Sequence, residues 1–140
     1  MIWCGSLASH LPERQCKALF ELLLGSLNEN SILCITTCGR GMQWAHENVF
    51  KTIDDSAYQR ICADLKEYSF GFAPYSYRYG SYASEAQYGM AFLYPDWIER
   101  NVLRPTIQVL QFREKAWHGA QDVWCLINRP ISAWYDWARA

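Results

Sequence analysis

Apolar residues recur at helical spacing in the first part of the chain and predict its longest helix. Their spacing of three and four residues indicates a helix from Leu11 to about Leu24, with Pro12 in its first turn. Ser9 is the candidate N-cap, and Gly25 is a typical stop. The apolar positions are Cys16, Leu19, Phe20, Leu23 and Leu24.

Three further helical patterns follow this one. The first runs from Met42 to Lys51, and the second runs from about Ala57 to Tyr68 after the capping residues Asp54, Asp55 and Ser56. The third begins at Pro95, a residue that is well tolerated in a first helical turn. The chain is therefore expected to contain at least four helices.

Short apolar runs between the helices predict strands. The segments 31–37 and 123–127 are apolar and rich in β-branched residues, as buried strands are. Residues 88–94 are a third candidate, and residues 1–6 are expected to form an edge strand or an N-terminal tail that packs on the core. These elements predict a single compact α+β domain over residues 1–140, with helices around a small sheet whose strand order the sequence leaves open.

Residues 105–119 fit two different structures. As a helix, the segment starts at Pro105 and stops at Gly119, and the portion QFREKAW favours this interpretation. As a hairpin, residues 106–112 pair with residues 122–127 around His118-Gly119, and the β-branched start favours that pairing. We expect the helix, with the hairpin as the alternative.

Aromatic residues concentrate between Phe70 and Tyr82, where Arg78 is the only charged residue. Before Pro74, Phe70 and Phe72 share one side of an extended strand, so we expect both in the core. After Pro74 the tyrosines alternate with Ser76, Arg78 and Gly80, and exposed tyrosines favour contact with a partner. The residues expected to bind this partner are Tyr75, Tyr77, Arg78, Tyr79 and Tyr82.

Composition and charge narrow the class of protein. Hydrophobic residues make up 51% of the 140 residues and charged residues 19%, which is typical of a folded chain and not of a disordered one. The net charge of −1 lacks the basic excess of a general polyanion binder. Neither a signal peptide nor a membrane-spanning segment is apparent, so we expect a cytoplasmic protein with no membrane contact.

The six cysteines suggest an alternative function. We expect reduced thiols, because no signal peptide is apparent. Cys34 and Cys38 would lie about 13 Å apart on one strand, too far for a disulfide unless the strand ends between them. Both precede the turn Gly39-Arg40-Gly41, so a thiol-dependent enzyme that uses Cys34 or Cys38 is the alternative to a binding protein. Cysteine and histidine spacings match no compact zinc motif, and we predict no metal and no cofactor.

No catalytic motif is present, and the sequence favours a protein-binding protein of the inhibitor or adaptor type over an enzyme. Small accessory proteins of viruses and mobile elements have the same lack of motifs, which is an association only. Single-stranded nucleic-acid binding through the Tyr/Arg stretch is a second alternative, which the charge balance disfavours. The C-terminal aromatics suit either docking of the tail or contact between copies of the chain; they are Trp134, Tyr135 and Trp137.

Overall fold

The computed structural model describes residues 1–51, 53–75 and 88–129. Across these ranges the chain is an α+β fold, as predicted. The elements in chain order are β1 (Ile2–Cys4), a 3₁₀ helix (Ala8–His10), α1 (Glu13–Gly25), β2 (Ile32–Thr37), α2 (Arg40–Asn48), α3 (Asp55–Tyr68), β3 (Phe70–Pro74), β4 (Gly89–Leu93), α4 (Pro95–Asn101), β5 (Ile107–Trp117) and β6 (Gln121–Asn128).

A four-stranded sheet forms the main layer. Its strand order is β1-β2-β6-β5, with β1 parallel to β2 and antiparallel pairing between the other neighbours. Leu33 pairs with Leu126 and Ile35 with Trp124, so these apolar side chains of the two central strands share one face. We call this the inner face, because all four residues are buried there in the larger hydrophobic cluster.

Helices α1 and α4 cover the inner face, and the side chain of Trp97 on α4 packs towards α1. Its ring centroid is 6.0 Å from that of Phe20 on α1 and 5.2 Å from that of Phe70 on β3. Its indole Nε1 donates a hydrogen bond of 2.9 Å to Glu13 Oε1, so this polar atom has a partner in an apolar environment. Trp97 therefore joins two helices and a strand into one cluster.

Strands β3 and β4 form an antiparallel ribbon that is buried on both sides. Phe70 pairs with Leu93, and this pair packs into the cluster on the inner face of the main sheet, as expected for Phe70. Gly71 pairs with Phe92, which packs in a second cluster together with residues of α2 and α3. Phe72 is partly buried and packs against the first cluster. The ribbon thus connects the two halves of the core.

Helix α1 begins at Glu13, so the prediction that Ser9 is its N-cap is wrong. Pro12 occupies the N-cap position, and Ser9 is buried in the preceding 3₁₀ helix. The reason is local: a proline disfavours helical geometry in the residue before it, and Leu11 is extended. Helix α2 is also shorter than predicted, Arg40–Asn48. None of the helices in the described ranges is long and apolar enough to span a bilayer.

The helix predicted for residues 105–119 is wrong, and the hairpin alternative is correct. Strand β5 pairs with β6 from Ile107 opposite Asn128 to Trp117 opposite Gln121. The connecting turn contains Gly119 with a φ of +70°. Pairing with a buried neighbour overrides the helical propensity of QFREKAW, because strand preference depends mainly on packing. Two bulges in β5 accommodate its extra residues.

Candidate interaction surface

The main sheet has a second face, opposite the one that carries the core. Side chains along a strand point alternately to the two faces of the sheet. The residues before and after each inner-face residue therefore lie on the opposite face. The pairing register places Trp3 beside Cys34, Cys34 opposite Cys125, and Cys125 opposite Gln111, which makes one row across all four strands. We call outer face the surface formed by this row together with Ile32, Thr36, Gln108, Arg113, Trp117, Gln121, Val123 and Ile127.

The outer face is poor in charge. Arg113 is the only charged side chain among these twelve strand residues. Ile127 is buried, and the other aliphatic and thiol side chains are partly buried. Trp3 is 48% exposed. A sheet face that meets only water usually carries polar residues, whereas interaction sites are depleted in charge and enriched in tryptophan. Its low charge and its exposed tryptophan make the outer face a candidate interaction surface.

Two tryptophans meet across one end of the outer face. Trp3 and Trp117 come from the two edge strands, and their ring centroids are 4.9 Å apart. Beside them, Thr36 Oγ1 accepts a hydrogen bond from Ser6 N (2.7 Å) and donates one to Gln121 Oε1 (2.7 Å). These contacts hold the side chains of this part of the surface in place.

Two thiols face each other in the centre of the outer face. Cys34 Sγ lies 3.2 Å from Cys125 Sγ, and both residues are partly buried free cysteines. Burial, together with the contact with the Cys34 thiol, raises the pKa of Cys125 to about 11. Cys34, one of the two cysteines of the predicted thiol enzyme, therefore has a second thiol as its neighbour.

Tyr75 is the one residue of the predicted partner-binding set that the structure describes. Its hydroxyl oxygen lies 2.8 Å from His10 Nδ1, and its ring is 5.8 Å from that of Tyr88. His10 also stacks on Tyr88, at 4.7 Å, and its Nδ1 lies 3.0 Å from Gly89 O. This cluster joins the end of the β3–β4 ribbon to the 3₁₀ helix and does not belong to the outer face.

The other predicted contact residues lie outside the described residues. They are Tyr77, Arg78, Tyr79 and Tyr82 of the aromatic stretch, and Trp134, Tyr135 and Trp137 near the C-terminus.

Cys38, the other cysteine of the predicted thiol enzyme, is a core residue. Its side chain is 1% exposed, and burial raises the pKa of the thiol to about 12. A nucleophilic cysteine needs the opposite environment, one that lowers the pKa and leaves the sulfur accessible. At neutral pH Cys38 is therefore a protonated thiol that packs in the second cluster.

The turn Gly39-Arg40-Gly41 is filled by groups of the chain itself. A Cβ atom at Gly39 would overlap Asp122 Oδ2, so a carboxylate already lies at the start of α2. Arg40 reaches Glu114 at 3.8 Å and lies over the ring of Tyr94, 5.2 Å from its centroid. These contacts give the turn a structural explanation.

A shallow groove of about 250 Å³ lies between α1, α3 and α4. Its polar groups are engaged with one another: Trp97 donates to Glu13, and Arg100 Nη2 donates to Tyr68 O at 2.9 Å. In residues 1–51, 53–75 and 88–129, no group of three or more His, Cys, Asp or Glu is arranged to hold a metal ion. The outer face is consequently the more specific candidate site.

Comparison with known proteins identified no relative. No protein-family model, no curated protein and no solved structure matches the chain. The candidate site therefore depends on the geometry alone. The sequence signal that could have located it is the alternation in β2 and β6, where a buried residue follows every residue of the outer face except Ile127.

Proposed function

We propose that this chain is a small binding protein that acts by protein–protein contact, in the manner of an inhibitor or an adaptor. The observation that supports the proposal is the outer face, which presents partly buried apolar side chains, an exposed tryptophan and one charge on a rigid sheet. Tryptophan and arginine are the residue types that most often carry the energy of protein–protein binding. Here they are Trp3 and Arg113.

The occupant that fits this surface best is a different protein with an apolar face and a carboxylate placed to meet Arg113. Pairing with a second copy would bring two Arg113 side chains onto the same buried interface, where like charges are unfavourable. The face itself covers only about 400 Å², from strands about 4.8 Å apart and about 3.3 Å per residue. That is about half of the area per partner in a stable complex, so the partner is expected to extend beyond it.

The predicted contact set Tyr75, Tyr77, Arg78, Tyr79 and Tyr82 is a second part of the proposal. It is separate from the outer face in the chain, and substitutions can address the two surfaces independently.

Val123→Lys tests the outer face directly. It places a second positive charge directly opposite Arg113 on a surface that a partner would cover, and the affinity for a partner captured from native host extract should fall at least about tenfold, or about 1.4 kcal/mol. Val49→Lys is the matched control, because Val49 is 63% exposed at the end of α2 and lies outside the outer face. Tyr77→Ala tests the aromatic stretch in the same assay.

Three other outcomes would each identify a different binding site or a different occupant of the outer face. Unchanged binding by Val123→Lys with loss of binding by Tyr77→Ala would move the site to the aromatic stretch and exclude the outer face. A dimer of the wild-type chain in light scattering that Val123→Lys dissociates would identify a second copy as the occupant. A similar fall in Tm for Val123→Lys and Trp137→Ser, with no partner captured, would mean that the chain covers its own sheet.

A further inference from the structure

Cys34 and Cys125 have the backbone placement that a disulfide requires. They lie directly opposite each other on the antiparallel neighbours β2 and β6, and their sulfur atoms are 3.2 Å apart. Residues paired in this way have Cα atoms about 4.5 to 5.5 Å apart, and a disulfide takes Cα atoms about 4.4 to 6.8 Å apart. The sulfurs can therefore meet by rotation of the side chains, without movement of the strands.

The pair is also accessible, in contrast to the most buried thiols of the chain. Cys34 and Cys125 are partly exposed on the outer face, whereas Cys16 and Cys38 are 0% and 1% exposed. A small oxidant can therefore reach the pair in the folded protein. Its neighbours in the same row of the sheet are Trp3 and Gln111, neither of which is charged.

We propose that Cys34 and Cys125 form an oxidation site that closes to a cross-strand disulfide when a peroxide or a small-molecule disulfide reaches the outer face. This inference goes beyond the proposed function and does not depend on it.

The chemistry balances with either oxidant. With hydrogen peroxide, one thiolate attacks the peroxide and becomes a sulfenic acid, and hydroxide leaves. The second cysteine then attacks the sulfenic sulfur, the S–S bond forms and water leaves. With oxidised glutathione, one thiolate forms a mixed disulfide and releases a first glutathione thiol, and the second cysteine releases the other.

The resting state of the pair is the dithiol. The pKa of Cys125, raised to about 11, keeps its proton in place at neutral pH, and each thiol lies within hydrogen-bonding reach of the other. Disulfide formation requires a thiolate, so oxidation should be faster at pH 9 than at pH 7.

The experiment uses the reduced 140-residue chain, treated in its folded state with hydrogen peroxide or oxidised glutathione. We expect two of the six thiols to be lost, and mass spectrometry to find the tryptic fragment 18–40 linked to the fragment that begins at Ala116. Cys34→Ser and Cys125→Ser should abolish this link. The matched control is Cys62→Ser on α3, which is also partly buried and should oxidise like the wild type.

A second readout separates a disulfide within the fold from accidental oxidation. Closure joins residues 91 positions apart, so the Tm should rise by several degrees on oxidation and return on reduction. Cys34→Ser and Cys125→Ser should show no such shift, and circular dichroism should be used to check that both variants are folded. A link that persists in Cys34→Ser, a link between two chains, or retention of all six thiols would overturn the proposal.

Discussion

Asp122 lies on β6 directly after the hairpin turn, and the fold buries its carboxyl group to 3% exposure. Its Oδ1 accepts a hydrogen bond of 3.0 Å from the backbone N–H of Lys115, a residue in the bulge of β5 with a φ of +56°. Burial raises the pKa of Asp122 to about 6, with a further contribution from Glu114, while Lys115 and Arg40 act in the opposite direction. The sequence around Asp122 gives no sign of this, because the burial arises from the approach of α2.

Because of Asp122, the free energy of unfolding should fall as the pH rises from about 4 to about 6. In this range the folded chain holds a proton on Asp122 that the unfolded chain has released, so lower pH favours the folded state. For a shift of about two pKa units the effect is about 2 to 3 kcal/mol. Asp122→Asn keeps the acceptor for Lys115 and removes the titration.

Urea unfolding of the wild type and of Asp122→Asn at pH 4, 5, 6 and 7 measures this effect. The histidines His10 and His46 act in the opposite direction, because burial lowers their pKa values and favours their neutral forms. The contributions of the histidines cancel in the difference between the unfolding free energies of the two proteins. This difference should grow by about 2 to 3 kcal/mol from pH 4 to pH 7 in favour of the variant. A difference that does not change with pH would contradict the prediction.

At the scale of elements, the ribbon and α3 approach each other at Gly71. A Cβ atom there would lie 2.8 Å from Ile61 O and 2.9 Å from Ile61 Cγ2, so the strand depends on the absence of a side chain. Gly71→Ala should therefore destabilise the fold by about 1 to 3 kcal/mol through overpacking.

Gly25 provides the matched control for Gly71. It ends α1, is exposed, and a Cβ atom would find no atom within 4 Å. Gly25→Ala should stabilise by about 0.5 to 1 kcal/mol, since alanine loses less backbone freedom on folding. Chemical denaturation of both variants measures the two effects. Equal effects of the two substitutions would show that the contact between α3 and β3 is not close.

The elements that the sequence predicted are those whose local pattern and tertiary role agree. Strand β2 is apolar and becomes a central strand, and α4 starts at Pro95 where the pattern begins it. In strand β5 the local pattern and the tertiary role disagree, because its exposed half has the composition of a helix. Its pairing with β6 is a contact with a later part of the chain, which local propensity does not contain.

For the molecule as a whole, the charge distribution makes the salt dependence of affinity a test between protein binding and nucleic-acid binding. The net charge is −1, and the outer face has a single charged side chain, Arg113. Loss of one ionic contact lowers affinity by about fourfold between about 50 and 200 mM salt, whereas a nucleic-acid binder with many phosphate contacts loses about a thousandfold.

Partner binding should accordingly depend only weakly on salt. We expect the Kd of the captured partner to change by no more than about fourfold over this range, measured by calorimetry or surface plasmon resonance. A decrease in affinity of several hundredfold would instead favour the Tyr/Arg stretch as a site for single-stranded nucleic acid.

The sequence by itself determined the fold class, most of the helices and strands, and the burial of Phe70, because these depend on local periodicity and on apolar content. Only the tertiary structure decided the hairpin of β5 and β6, the burial of Asp122 and Cys38, and the pairing of Cys34 with Cys125. These features join residues far apart in the chain. The outer face belongs with them, since a strand pattern shows that two faces exist, and only the packing of the other elements shows which one they cover.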